Sequence, residues 1–523
     1  MRKFFRIPIS STDRNVISQF LLDAEEEIRK CEVEINRLRS AMHLLENKKK
    51  GLKKTAEDCH TLLSPIHRMP TEVLTNIFSL GDASVSRDET ELTPSSCPPV
   101  IQLSMVCGRW REVILSTSSL WSSLHIHFQH WGKRFPGLER LVVMFMERSR
   151  TQKLRLKLTL HNIKEDMRTD ISSIINILAR HCVRWHDVAI LPLSESSAFP
   201  SHILEGGGFP ALQKLHVSSD NPLAPALFGF FRNMPSLTTL SIGGKPISDA
   251  HRLALPWNQI ETLQLSKAYA LEALKFLASF PRLRSLEMDL ISGGIEDHTG
   301  HYRSNTIKSA AFTWDEQEDA DAILGRLTLP KLTNLEMICN DWQLVEDWTH
   351  WTRWVGSSAV DFLSRSGCSI TSLSLSYLPI TDQQAIVLLE LMPTITSLKI
   401  EERLMLNAPN RTVTKAFLRR LVVDPHALRS VPSFLPCLAE VAFTLQKDEL
   451  DEKDFFDAIS SRWIPEPARA KEVGVECLRS VNVIVAGWEE DKNKVRSIRM
   501  SSLECFKDVG LRLDVRHSLT DHW

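Results

Sequence analysis

"FPALQKLHV" spans Phe209 to Val217, and its pattern recurs. "MPSLTTLSI" (234–242), "WNQIETLQL" (257–265), "FPRLRSLEM" (280–288), "LPKLTNLEM" (329–337), "MPTITSLKI" (392–400) and "LPCLAEVAF" (435–443) share it, and "CSITSLSL" (368–375) and "NTIKSAAF" (305–312) fit less fully. The common core is an apolar residue and a proline, then L-x-x-L-x-L. Its first apolar position falls at Leu212, Leu237, Ile260, Leu283, Ile307 and Leu332, in steps of 25, 23, 23, 24 and 25 residues. Later steps, through Ile370, Ile395, Leu438 and Leu478, are longer and less regular. Alternate residues of a strand face opposite ways, so the leucines share one side and the residues between them the other. Between these strands, "NPLAPALFGFFRNM" (221–234) and "EALKFLASF" (272–280) have helical spacing. The proline two residues before the first leucine would end that helix and start the next strand.

This period and core resemble leucine-rich repeats. Each repeat would bury its apolar edge only against its neighbours. The expectation for 127–523 is therefore an irregular leucine-rich-repeat-like solenoid, with an ordinary α/β domain as the alternative. The Asn or Cys usual after the last leucine is mostly missing: Asp220, Lys245, Ala268 and Ile291 stand there, and only Asn340 matches. If the array binds a substrate, the outward positions carry it. These are Lys214, His216, Thr239, Ser241, Gln264, Glu287, Glu336, Ser374 and Lys399, with Thr262, Ser285, Asn334, Ser372 and Ser397 beside them. Their mixed charge suits a protein or peptide better than a nucleic-acid backbone, which calls for more Arg and Lys.

The N-terminal zone, 1–62, is different. Apolar or small residues recur at Ile17, Leu21, Ala24, Ile28, Cys31, Ile35, Leu38, Met42, Leu45, Leu52, Ala56, Cys59 and Leu63, broken at Lys49. The steps of three and four make a heptad seam. Glu25–Arg29, Glu26–Lys30 and Glu46–Lys50 are acid-before-base pairs at i,i+4, which support a helix. The "NKKKG" run at 47–51 leaves open one long kinked helix or a helical hairpin. The seam suits a dimerising coiled coil or a helix docked on the rest of the chain.

Between these zones lies 63–126. In "LSPIHRMPTEVLTNIFSL" (63–80), Pro70 suits a first helical position, and Glu72 suits the first turn. Val73, Leu74, Ile77 and Phe78 form one wide apolar stripe. A polar separator at about 82–98 reads as an exposed loop. Val100, Leu103, Val106, Cys107, Trp110, Val113 and Ile114 then make a second stripe, followed by Leu120 and Trp121. So small a unit does not bury everything it carries.

Taken together, Met69-Pro70-Thr71-Glu72, Ile77-Phe78, Val106-Cys107-Gly108-Arg109-Trp110 and Leu120-Trp121 resemble the F-box motif. A long helix ahead of it and degenerate repeats behind it look like a large class of fungal F-box proteins. Two features depart from the pattern: the long separator, and Gly108 in place of a better helix former. The resemblance implies a three-helix F-box that docks a Skp-family adaptor, bridging to a cullin scaffold that carries a RING protein and a ubiquitin-conjugating enzyme. The repeats would hold a protein substrate. It also implies an adaptor-facing set of Met69, Pro70, Leu74, Ile77, Phe78, Val106 and Trp110, with Trp121 locking the F-box to the first strand of the array. The chain would then do no chemistry itself. The alternatives are a repeat scaffold whose F-box engages no ligase, and a hydrolase or transferase.

The bulk numbers name no partner, which has to be inferred from local features. Of 523 residues 43% are hydrophobic, and the formal net charge is −1, so nothing in the balance argues for wholesale binding to nucleic acid or to an acidic membrane surface. Ten cysteines stand singly, as expected of a reduced, cytoplasmic or nuclear protein. "MRKFFRIPIS" is too short in apolar residues for a signal peptide, and no run approaches the ~18 apolar residues of a span. G-x-S-x-G, H-E-x-x-H and G-K-[ST] are missing, and no cofactor is implied. His125, His127 and His130 lack a strong further metal ligand. Trp342, Trp348, Trp351 and Trp354 could pack in an enlarged repeat or anchor a peptide. The acidic runs at 314–322 and 448–457 read as solvated helix faces.

Overall fold

Ser10 opens the first helix. Its hydroxyl accepts from the Asp13 N–H at 3.2 Å, satisfying a donor that a helix start leaves over. The computed structural model describes residues 10–83, 91–94, 97–160, 167–191, 208–219, 233–244, 255–291, 300–340, 351, 353–403, 411–424, 433–446, 452–488, 506–507 and 510–520. The chain divides into two units, Met1–Phe78 and Ser79–Trp523.

Helix α1 runs from Ser11 to Leu63 without a break, about 80 Å at ~1.5 Å per residue. It passes straight through "NKKKG", so the hairpin does not form. Its ion pairs sit at i,i+3 rather than at the expected i,i+4: Lys30–Glu27 and Arg37–Glu34, each at 2.9 Å, and Arg29–Glu26. Either spacing brings side chains together on successive turns. The apolar seam is exposed along its length, from Leu21 through Ile28, Ile35, Leu38, Met42 and Leu45 to Leu52. A Cβ at Gly51 would meet nothing within 4 Å. Gly51→Ala is therefore expected to stabilise α1 by about 1 kcal/mol, read as a higher melting midpoint of the helical dichroism of a peptide covering α1.

A short turn of 3-10 helix, Pro65–Arg68, leads to helix α2, Thr71–Ala83. Pro70, expected at the first helical position, sits one residue ahead of the helix, and its carbonyl accepts from the Leu74 N–H at 3.1 Å.

The second unit is organised by one parallel sheet. Its strands are β1 (Glu91–Leu92), β2 (Ser123–His127), β3 (Leu154–Thr159), β4 (Trp185–Leu191), β5 (Lys214–Ser219), β6 (Thr239–Gly244), β7 (Thr262–Ser266), β8 (Ser285–Asp289), β10 (Ser309–Trp314), β12 (Asn334–Cys339), β13 (Ser372–Ser376), β14 (Ser397–Glu401), β15 (Glu440–Gln446), β16 (Ser480–Trp488) and β17 (Arg512–Thr520). They lie side by side in chain order, fifteen among the described residues. Strands β9 (Tyr302–Arg303) and β11 (Leu327–Thr328) pair separately. Helices α3 (Pro99–Ser104), α4 (Gly108–Ser116), α5 (Phe135–Arg148) and α6 (Arg168–Ala179) belong to the N-terminal part.

The repeats build this sheet directly. All ten first apolar positions, Leu212 through Leu478, are fully buried. Proline does a different job from the one expected. In Phe209-Pro210-Ala211-Leu212 the Leu212 N–H bonds the Phe209 carbonyl at 3.2 Å. The same closure recurs at Leu237, Leu283, Leu332, Ile395 and Leu438. Each proline is thus the second residue of a tight turn, where its fixed φ is favoured. After each turn, one carbonyl accepts from two successive N–H groups of the next repeat, as Gln213 does from Thr238 and Thr239, both at 3.0 Å. Of the two expected inter-strand helices, one is seen at Ala270–Leu277; the other falls largely outside the described residues. No asparagine ladder forms around Asn340: its side chain donates to exposed Asp315 at 2.8 Å.

The described part of the separator is not an exposed loop. Within it β1 pairs with β2, Glu91 opposite His125 and Leu92 opposite Ile126. Leu92 is fully buried, and its carbonyl accepts from Trp131 Nε1 at 3.1 Å. The sheet therefore begins inside the segment expected to be F-box alone. Among the described residues no helix is long and apolar enough to cross a membrane.

Candidate functional site

Two groups hold the residues singled out by sequence. The first is the F-box-like set, carried by α2, whose residues up to Phe78 belong to the first unit, and by the α3–α4 region of the second, each described by itself. On α2 the apolar stripe divides by exposure. Leu74 and Phe78 are buried, whereas Val73 and Ile77 are 42% and 41% exposed. Met69 is half-buried and Pro70 exposed.

In the α3–α4 turn, Met105 and Val106 stand out at 74% and 61% exposed. Cys107 then has extended backbone, and its thiol accepts from the Trp110 N–H at 3.5 Å. The sulfur thus caps α4, taking the place of the usual hydroxyl or carboxylate. That gives a physical reason for cysteine three residues before tryptophan, which apolar patterning missed. Trp110 itself is half-buried. Val113 and Ile114 are buried. A Cβ on Gly108 would meet nothing within 4 Å, so this departure from the motif leaves room for an ordinary side chain.

Trp121 joins α4 to the layer behind it. It is fully buried. Its Nε1 donates to the Ile114 carbonyl at 2.9 Å, Phe145 of α5 meets it edge-on at 5.0 Å, and the Arg148 guanidinium lies 4.4 Å from its ring. This tryptophan serves packing, not a partner.

The second surface is the outward face of the sheet. Pairing brings the candidate residues into two continuous rows. The first row passes through Arg155, Asp187, Lys214, Thr239, Thr262, Ser285, Ser309, Asn334, Ser372 and Ser397. The second passes through His125, Lys157, Ala189, His216, Ser241, Gln264, Glu287, Ala311, Glu336, Ser374 and Lys399. Ser241 is buried at 5% exposure, so of the candidate residues it presents little side chain. Lys399 pairs with Glu401 at 3.0 Å. Ala189 and Ala311, which the sequence reading passed over, are gaps in an otherwise polar row.

The histidine run is drawn together at one end of this face. His125 and His127 rings are 4.2 Å apart, and His127 and His130 are 5.2 Å apart. Burial, then His127, then Lys157 push His125 down to about 3, and its Nε2 lies 3.1 Å from Thr159 Oγ1. Among the described residues no three His, Cys, Asp or Glu side chains are grouped to hold a metal.

The tryptophan cluster resolves in favour of packing. Trp351 and Trp354 are buried and stack at 5.4 Å, with Trp314 edge-on to Trp351. Residues 353–355 are not helical; Trp342 and Trp348 lie outside the described residues. The acidic run at 314–322 includes a helix, Gln317–Leu324, whose Asp321 accepts from Gln317 at 2.8 Å and from Ser358.

No curated protein matches the chain. A family model described as F-box-like matches residues 66–127, the stretch that holds α2, the thiol-capped α4 and Trp121.

Proposed function

We propose that this chain is the substrate-recognition subunit of an SCF-type cullin-RING ubiquitin ligase, an F-box protein of the fungal type working in the cytoplasm or nucleus. The observation that carries the reading is the exposure of Ile77 and Val106 within the F-box-like match. Each is a large apolar residue at a motif position, and neither is used in the chain's own core. A Skp-family adaptor would cover them. The parallel sheet in chain order supports a leucine-rich-repeat-like solenoid whose outward rows hold the protein substrate. The chain's part in ubiquitin transfer is proximity; it needs no catalytic group or cofactor of its own.

The test is co-purification with a Skp-family adaptor. Removing two exposed apolar contacts of about 1.5–3 kcal/mol each costs roughly two to four powers of ten in affinity. Ile77→Asp with Val106→Asp is therefore expected to weaken adaptor binding at least 100-fold while the melting curve stays that of the wild type. Unchanged binding in the folded double variant would sink the docking mode. Adaptor binding without cullin association would favour the scaffold reading instead.

The exposed heptad seam supports a second element of the proposal: α1 forms a coiled coil with a second copy of the chain. With Leu21, Ile28, Ile35 and Met42 as a positions, Ile17, Ala24, Cys31, Leu38 and Leu45 fall at d.

A further inference from the structure

Pairing α1 with a second copy leaves the direction of that copy open, and the charges beside the seam decide it. The two halves of α1 differ in sign. Residues 23–34 hold six carboxylates and two cations, whereas 46–54 hold five lysines and one carboxylate. Glu25, Glu32 and the lysines Lys48, Lys49, Lys50, Lys53 and Lys54 are exposed, and none makes an ion pair among the described residues. Glu34 holds Arg37 on its own helix. On the heptad frame given above, Lys49 falls at an a position. Glu25, Glu32, Arg39, Glu46 and Lys53 fall at e, and Glu27, Glu34 and Lys48 at g. Residues at e and g flank the seam and set orientation.

A parallel, in-register pair sets like against like. Each a residue then faces its own copy, so Lys49 meets Lys49 inside the seam. Each g residue faces the e residue of the next heptad, so Glu27 meets Glu32 and Lys48 meets Lys53. Of these charged pairs, Glu34 with Arg39 alone is of opposite sign.

Turned end for end about residue 40, the same frame sets every a position against a d position. Ile28 then faces Leu52, Ile35 faces Leu45, and Lys49 faces Cys31. The small thiol leaves room for the lysine stem to lie along the seam and carry its charge out to water. In this direction e flanks e and g flanks g. Glu25 meets Lys53 and Glu34 meets Lys48, each twice by symmetry. Glu32 meets Glu46, but Arg39 of both copies stands beside them at the centre.

We propose that α1 binds a second copy of the chain antiparallel, centred on residue 40, with Lys49 of each copy over Cys31 of the other. The chain leaves α1 at Leu63, which lies opposite residue 17. The two F-box-like segments therefore depart at opposite ends of the pair, about 70 Å apart at ~1.5 Å per residue, so each copy would present its adaptor at its own end. This rests on the reading of α1 as a coiled coil and is independent of whether the adaptor binds.

The test uses the full chain with Cys31→Ser and Cys59→Ser. Ile28→Cys and Leu52→Cys are added in separate chains. Light scattering under reducing conditions should find each dimeric, which shows that the substitution leaves α1 paired. After mild oxidation neither chain alone should crosslink through its new thiol. An equal mixture, exchanged before oxidation, should crosslink, with mass spectrometry placing the bond between positions 28 and 52. A bond from 28 to 28 or from 52 to 52 would overturn the direction, and a dimeric mixture without the bond would overturn the register. The charges are tested separately. Lys48→Glu with Lys53→Glu turns four attractive pairs repulsive and should weaken self-association roughly tenfold or more. Mixing with a Glu25→Lys, Glu34→Lys chain should restore a mixed dimer of wild-type affinity, and failure to restore it would also overturn the proposal. A chain that is monomeric before any substitution defeats the coiled-coil reading itself.

Discussion

Arg462→Met is expected to destabilise the C-terminal repeats severely, by about 3–9 kcal/mol, because three buried carbonyls lose their donor at ~1–3 kcal/mol each. Arg462 ends the helix Glu452–Arg462 and is 1% exposed. Its Nε donates to the Leu421 carbonyl at 2.6 Å, and its two terminal nitrogens donate to Leu435 at 2.9 Å and to Phe434. Its own carbonyl accepts from the Leu478 N–H at 3.0 Å. The side chain thus ties the end of the helix Lys415–Leu421 to the turn before β15, while the backbone carbonyl of the same residue holds the approach to β16. Burial lowers its pKa to about 10, so it remains charged at neutral pH. Arg462→Lys tests the geometry: an ammonium keeps the charge, but lacks the planar fork that reaches divergent acceptors. Thermal melts should rank wild type above Lys and Lys above Met. A Met variant that melts with the wild type would show that the three bonds contribute little net stability.

The second large effect concerns α1. If the seam forms a two-stranded coiled coil, the chain runs in solution at twice its 59.5 kDa. Ile28→Asp with Ile35→Asp places two charges in the apolar seam, and should return the mass to one chain. Light scattering behind a sizing column reads this without ambiguity. Direction can be read too. Cys31 and Cys59 are exposed free thiols at d positions of the same heptad frame. In a parallel in-register pair each d residue faces its own copy, so mild oxidation would give a crosslinked dimer on a non-reducing gel that Cys31→Ser with Cys59→Ser abolishes. In the antiparallel pair Cys31 faces Lys49 and Cys59 faces Leu21, and the expected result is no crosslink through either thiol. A monomeric wild type would remove the coiled coil from the account.

The strands were legible because two periods coincide: alternation within a strand, and a spacing of about 25 residues between strands. The outward rows follow from the same alternation, so Lys214, His216, Glu287 and Glu336 could be placed on one face before any coordinates. What escaped the sequence reading depends on single contacts. Strand β1 is two residues long in a polar stretch, and its pairing with His125 and Ile126, together with Trp131 bonding the Leu92 carbonyl, makes it a strand. Cys107 looks apolar in a stripe, yet acts through sulfur on a backbone N–H. The prolines signal a break in either reading; the i→i+3 closure onto Leu212 and its counterparts shows the break to be a turn. On α2, the split between Leu74 and Phe78 inside and Val73 and Ile77 outside is a matter of a few tens of degrees around the helix. A stripe of four apolar residues does not encode it.

The order of strands in the sheet carries a last consequence. Because spatial order equals chain order, paired residues from β4 to β10 stand only about 25 positions apart, and no segment is threaded between distant ones. The ordering cost of each new strand is met by a neighbour already close in the chain. A lesion such as that at Arg462 should accordingly unfold its own neighbourhood first and leave β2 to β8 protected from hydrogen exchange. The same locality means that a length of chain carrying one turn and one strand could be gained or lost without rearranging the others, which lets the outward rows change length while the F-box-like segment stays as it is.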